Sequence, residues 1–414
     1  MAVLRKFKAV RPKNGLEEKI ASFPYDVINS DEAREIAKGN EYSFLHINKP
    51  EIDLPPETDH YAEEVYQKAK ENYGSFLKNG WFIQEEKERL YIYRQTMDGR
   101  EQYGIVGCCS AKDYDDDVIK KHEHTRKVKE EDRIKHVDVT NINAGPIFLT
   151  YDANKEIDAL VAEAVKKTPV YDFRATDGIG HTVWIIEDDE VSEKIIELFE
   201  KTPNLYVADG HHRSASAAMV ASRRKAANPN HTGNEEYNFF LSVLFPHDQL
   251  HIMDYNRVLK NLNGQTEEQM FAAIDKYYET GEIGKQRYKP AKKGEAGMYF
   301  NGEWFKLTIR DEYLEKEDPV KSLDIYYLQH NILDPFFGIK DPRTSDEIDF
   351  IGGIRGLQEL ERLVDSGKFQ VAFAMYPTSI IELMNIADAG EVMPPKSTWF
   401  EPKLRSGLLV HSLD

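Results

Sequence analysis

Leu205 to Ala208 is a short apolar run that leads directly into Asp209-Gly210-His211-His212-Arg213-Ser214. An apolar strand, a glycine turn and a helix start in that order expose first-turn amides that have no intrahelical partner. The helix dipole favours an anion at the same end. His211, His212 and Arg213 add side-chain donors there. Asp209 is placed to cap the helix or to touch a metal carried by the anion. Behind the turn, Ala215, Ala218, Met219 and Ser222 form a small-residue face that packs close to a sheet. This describes a phosphate site formed by Asp209, Gly210, His211, His212, Arg213 and Ser214. The competing reading is an ordinary capped helix with two surface histidines. A glycine, a cap, two histidines and an arginine within five residues favour the phosphate reading.

A second cluster is His122-Glu123-His124-Thr125-Arg126, followed by Asp132-Arg133. It is not the HExxH zinc motif, because position 126 is Arg. A carboxylate between histidines suits a general base for a hydroxyl, or a ligand for Mg²⁺. Glu123, His122 and Asp209 are therefore the catalytic candidates. Thr125, Arg126 and Arg133, with Lys396, Lys403 and Arg405 near the C-terminus, are candidates for holding an anionic substrate. The alternative here is a solvated charge run, since Asp113 to Lys135 is dense in both signs. Other glycine patterns are weaker. Gly178-x-Gly180 lacks a third glycine, and Gly352-Gly353-x-x-Gly356 has no Lys-Ser/Thr after it, so neither cradles phosphate as a P-loop does. There is no nucleophile elbow, and neither Cys108 nor Cys109 has a nearby histidine in sequence.

These residues need elements to hold them, and the pattern along the chain supplies short strands and helices in alternation. The expected strands include Arg89 to Gln95, Gln102 to Cys108, Ile147 to Tyr151, Thr182 to Ile186 and Phe239 to Phe245. An Asp98-Gly99 hairpin signal joins the first two. Glu57 to Leu77 and Lys155 to Lys167 read as helices, as does the segment opening near His211 and running to Ala227. Ser30 reads as a helix cap. Further on, Thr266 to Thr280, Leu357 to Ser366 and Thr378 to Ala389 read as helices. Met298 to Ile309 reads as two strands around Asn301-Gly302. The fold class is α/β or α+β, with mixed sheets and packed helices. At about 150 residues per domain, 414 residues imply two or three units. The division is placed at 1–260 and 261–414, with one integrated domain as the alternative.

Composition removes several function classes. Lys plus Arg number 54 against 72 Asp plus Glu, a net charge of −18. Nucleic-acid binding is dominated by phosphate neutralisation, so a nucleic-acid partner is not expected. The longest apolar runs fall short of a bilayer span, so no membrane partner is expected either. Two adjacent cysteines favour reduced thiols, and no apolar core follows the basic N-terminus; a cytoplasmic location is the expectation.

Several motifs in order resemble the domain-of-unknown-function-1015 (DUF1015) family. They are Phe23-Pro24-Tyr25-Asp26-Val27, Ser43-Phe44-Leu45, His122-Glu123-x-Thr125 and Asp132-Arg133. They continue with Asn143-x-x-Pro146-Ile147-Phe148, Ala208 to Arg213, and Lys396-Ser397-Thr398-Trp399-Phe400 with Pro402-Lys403. The DGHHR segment alone is similar to the ParB/sulfiredoxin superfamily, one branch of which comprises free-serine kinases. That resemblance implies a nucleotide-binding core, ATP (or ADP) as co-substrate with Mg²⁺, and phosphorylation of a hydroxyl, foremost that of L-serine to give O-phosphoserine. Sulfinic acid reduction would need a cysteine in the turn, where His211 and His212 stand instead. The alternatives are a nucleotide-responsive regulatory protein without turnover, or a ParB-like nucleic-acid-associated module. A homodimer is left open.

Overall fold

Long-range strand pairing divides the chain differently from the reading at residue 260. In the computed structural model, which describes all residues 1–414, one unit comprises Met1–Leu250 together with Pro402–Asp414, and the other His251–Glu401. The C-terminal tail returns to the first unit because its backbone groups find partners there. His411–Ser412 pairs antiparallel with Ile142–Asn143, Val410 bridges Val10, and Ser406 bridges Ser22. Backbone pairing of this kind is invisible to local composition, which is why no Pro- or Gly-rich linker announced it.

The first unit is built on a nine-stranded mixed sheet. Its order is Ile119–Lys120, Leu205–Asp209, Ile147–Tyr151, Phe239–Pro246, Arg100–Ser110, Leu90–Met97, Gly180–Ile186 and Tyr171–Arg174, with Leu4–Arg5 added beside Arg100–Ser110. Two of its pairings are parallel, Leu205–Asp209 with Ile119–Lys120 and Phe239–Pro246 with Ile147–Tyr151. Ile147–Tyr151 is buried along its whole length, as expected of a central strand covered on both faces. The core over the sheet gathers Leu90, Ile92, Leu149, Phe199, Phe240 and Leu244, all fully buried. Each such side chain contributes roughly 1.5–3 kcal/mol relative to exposure.

The second unit is a six-stranded, wholly antiparallel sheet. Its order is Tyr278–Gly284, Glu303–Ile309, Glu295–Phe300, Val371–Met375, Tyr255–Leu259 and Ile348–Gly352. Leu357–Asp365 covers one face through Leu360 and Leu363, which pack with Trp304 and Val258. Both hairpin signals are realised: Asp98-Gly99 and Asn301-Gly302 all take positive φ, as the tight turn requires.

Three local expectations need correction. The helix expected over Thr266 to Thr280 stops at Asp275, and Tyr278–Gly284 is an edge strand. Asn29, not Ser30, caps the helix Ser30–Ala37. It accepts from the Glu32 amide, and Ser30 instead donates its hydroxyl to Glu51. The charge-rich stretch after Asp113 hides a strand, Ile119–Lys120, and a helix, Lys127–Thr140. That helix escaped because its buried face carries Asp132 and His136 beside Ile134 and Thr140, so apolar periodicity is absent.

Candidate active site

Parallel pairing puts the two sequence clusters at one place. Leu205 and Tyr206 register with Ile119 and Lys120, so both strands end on the same side. Lys120 leads into His122-Glu123, and Asp209 leads into the Gly210 turn. The register slips between Val207 and Asp209. A bulge there re-aims the last residue of the strand. The carboxyl ends of neighbouring parallel strands are a recurrent place for ligands.

Gly210 has φ +99°, in the left-handed region that favours glycine. A Cβ at that position would stand 3.2 Å from the Arg213 guanidinium, which folds back over the turn. The helix His211–Ala227 starts with no side-chain cap. Asp209 therefore does not cap it. Its carboxylate is paired instead with Lys403 at 3.6 Å and Arg213 at 3.5 Å. Burial alone would push this carboxyl up, but Lys403 and Arg213 outweigh it and hold it at about 2. Two cations thus converge on Asp209 at the positive end of the helix.

Above the turn, His122 and His211 meet edge to face with ring centres 4.4 Å apart. Both are buried. Burial, reinforced by their mutual repulsion, keeps His122 neutral far below the usual histidine range. Burial also lowers His211, with the Glu123 and Asp209 carboxylates pulling the other way. Glu123 is thus near enough to act electrostatically on the His211 ring. Neither nitrogen of His122 has a partner at hydrogen-bond geometry, and the nearby Val207 backbone favours its protonated form against burial. His211 Nε2 and Arg213 Nε are likewise buried without partners. Arg213 Nη1 donates to the Pro146 carbonyl, which ties the turn to the Asn143–Pro146 loop. His212 Nε2 accepts from the Arg126 amide at 3.0 Å, which joins the two clusters through the backbone.

The structure brings His122, Glu123, Asp209, Gly210, His211, His212 and Arg213 together, and adds Lys403. The remaining candidates are placed elsewhere. Ser214 is fully buried and donates its hydroxyl to the Gly210 carbonyl at 2.9 Å, inside its own helix. Thr125 donates to Glu130 at 2.8 Å, closing the first turn of the next helix. Arg126 joins the site through its amide, which donates to His212. Arg133 lies over the Tyr25 ring at 4.1 Å and binds Asp132, in the wall of a cavity that adjoins a small pocket lined by Arg213. Arg405 is paired with Asp177 and stacked on Phe23. Lys396 belongs to the second unit, where its ammonium sits over Tyr255. Of the two basic candidates in the returning tail, Lys403 pairs with Asp209 and Arg405 with Asp177. Sequence spacing carried no signal to single out Lys403.

A Mg²⁺ held by the protein alone does not fit this donor set. No three His, Cys, Asp or Glu side chains stand together as a metal site, and Asp209 is already occupied by two cations. No helix is long and apolar enough to cross a membrane.

No curated protein matches the sequence. Among solved structures, a conserved hypothetical protein from Pyrococcus furiosus is similar at 17% identity and TM-score 0.35, over 71% of this chain and 92% of that one. A free serine kinase in complex with AMP is similar at 15% identity and TM-score 0.35, over 71% of this chain and 89% of that one. SbnI with a C-terminal truncation, from Staphylococcus aureus, is similar at 12% identity and TM-score 0.37, over 74% and 87%. The family model described as a protein of unknown function (DUF1015) matches residues 4–326, and the chain belongs to that family.

Proposed function

We propose that the first unit binds the phosphates of ATP or ADP at the Asp209–Arg213 turn and transfers a phosphoryl group to the hydroxyl of a small hydroxy amino acid, foremost L-serine. One observation carries this reading. Buried nitrogens of His122, His211 and Arg213 stand without partners around an uncapped helix start. Buried polar groups are almost always satisfied, so a cluster of orphans needs a ligand rich in acceptors. A phosphate group is such a ligand.

The residues divide the work. The first amides of the helix and the Arg213 and Lys403 cations face the phosphates. Neutral His122 and His211 each offer one N–H without adding charge. Asp209 holds Arg213 and Lys403 in position through its two ion pairs. Glu123 accepts the proton of the acceptor hydroxyl as that oxygen bonds to the terminal phosphorus and the bridging P–O bond breaks, releasing the shortened nucleotide. Phosphoryl transfer depends mainly on positioning and charge stabilisation, which this set supplies. Magnesium enters only as the counter-ion that the nucleotide brings.

The test is a phosphorus NMR time course with the full chain, Mg²⁺, ATP or ADP, and L-serine, beside a control without serine. Serine-dependent O-phosphoserine is the expected product. Bound nucleotide that stays intact across a panel of hydroxy amino acids would replace transfer with a regulatory role. No nucleotide binding would overturn the reading of the turn itself.

A further inference from the structure

A cavity in the first unit adjoins this turn: Tyr25 and Arg133 in its wall also line a small pocket with Arg213. It measures about 580 Å³ and opens between Tyr25-Asp26, the Lys49–Glu51 segment, the helix Glu63–Lys78 and the helix Lys127–Thr140. None of its lining residues belongs to the Asp209 turn, and Glu123 does not line it. It is therefore not the position from which a hydroxyl would meet Glu123. A volume of this size takes a small organic molecule rather than a single ion.

Its walls have an unusual charge balance. Carboxylates and cations line it in equal number, four of each. Two opposite-sign pairs are deeply buried there. Arg133 Nη2 lies 2.8 Å from Asp132, and Lys49 Nζ lies 3.0 Å from Glu51. Asp132 and Glu51 are each only 7% exposed. The Tyr66 hydroxyl donates to Asp132 and the Ser30 hydroxyl to Glu51, so both carboxylates are held in fixed orientation. Tyr25 and Tyr61 add aromatic wall. A buried ion pair is a weak source of stability, because desolvation consumes most of the attraction. Two such pairs around one cavity suit a ligand that carries both signs itself. Its anionic end would meet Arg133 and Lys49, and its cationic end Asp132 and Glu51.

We propose that this cavity is a second small-molecule site, specific for a zwitterion of the amino-acid or short-peptide class. The proposal does not rest on the nucleotide reading, and a ligand without a hydroxyl tests the two separately.

The test uses L-alanyl-L-alanine, which has no hydroxyl and accepts no phosphoryl group. Isothermal titration of the full chain should show saturable binding with Kd about millimolar or tighter. The N-acetylated and C-amidated forms, each lacking one charge, should bind at least about tenfold more weakly. Glu51→Gln should weaken the dipeptide by about 30-fold, the usual loss when one partner of a buried charge pair is removed. It should leave nucleotide affinity unchanged. Lys49→Met serves as the second variant if Glu51→Gln fails to fold. Absence of saturable binding, or equal binding of the charge-blocked forms, would overturn the proposal whatever the outcome with nucleotide.

Discussion

The two units treat buried polarity in opposite ways. Every buried side-chain polar atom left without a partner belongs to the first unit, and three of the residues concerned ring the Asp209 turn. In the second unit the corresponding groups are saturated. Glu295 is 2% exposed and accepts from Lys306 at 2.6 Å, the Tyr288 hydroxyl at 2.8 Å and the Ala291 amide at 3.0 Å. A saturated network fixes its side chains in place, and polar atoms left bare mark where a group from outside the chain would complete it. The unpartnered atoms direct the search for a phosphate site to the first unit, while the sheet of the second carries a fully partnered polar network.

The largest expected effect comes from activity at the turn. Asp209→Asn releases Arg213 and Lys403 from their shared carboxylate, and turnover should fall by about 10²–10³. Single-turnover phosphoryl transfer measures it, and a loss below tenfold would remove Asp209 from the machinery. The stability counterpart lies in the other unit. Glu295→Ala strands a hydroxyl, an amide and a lysine, and should cost about 3 kcal/mol. His122→Phe removes two unpartnered nitrogens and should change stability by less than about 1 kcal/mol, although it ends nucleotide binding. Urea unfolding of the two variants decides this. If His122→Phe were the more damaging, the contrast between the units would fail.

Acid and base should sort the units as well. In the first, His136 is held at about 4 by burial and Arg133, and His181 at about 3 by burial and Arg405. The unfolded chain protonates these histidines below 6.5 while the fold does not, so first-unit stability falls as pH drops below 6.5. In the second, burial raises the Asp324 carboxyl from 3.8 to about 7. Between those values the fold keeps a proton that the unfolded chain has lost. The Asp324 contribution to second-unit stability therefore falls as pH rises from 3.8 to about 7, opposed below 4.5 by Glu295, whose carboxyl is held at about 2 against burial by Lys306 and its other hydrogen bonds. Hydrogen exchange of the full chain, corrected for intrinsic rates, should show opposite slopes in the two units. Asp324→Asn should flatten the slope in the second unit alone.

Two smaller effects refine the site. Gly210→Ala forces an L side chain into positive φ against Arg213, at about 1–2 kcal/mol, and should weaken nucleotide binding in equilibrium titration. Lys403→Met should lower that affinity about tenfold, as expected for loss of one phosphate-facing cation. Lys396→Met, which removes an ammonium over Tyr255, should leave it within about twofold.

Much of this was readable from local pattern. The strand and helix flanking Gly210 follow from an apolar run, a glycine and a run of small residues. The hairpins follow from Asp98-Gly99 and Asn301-Gly302, whose positive φ is a property of those residue types. The helix Lys127–Thr140 was hidden because Asp132 and His136 occupy its buried face, and each is satisfied there by a partner far along the chain. Asp132 accepts from Tyr66, and His136 bonds to the Ile47 carbonyl.

The residue types alone determined that a strand, a glycine turn and a helix start follow one another at Asp209–Arg213, and that a carboxylate stands between histidines at Glu123. Only the tertiary structure decided which residues share a site. The short parallel pairing of Ile119–Lys120 with Leu205–Asp209 brings His122 onto His211. The returning tail selects Lys403 while Arg405 turns to Asp177. The physical reason is range: turn, cap and helix preferences act over a few residues, whereas strand register and ion pairing are settled between segments far apart in the chain.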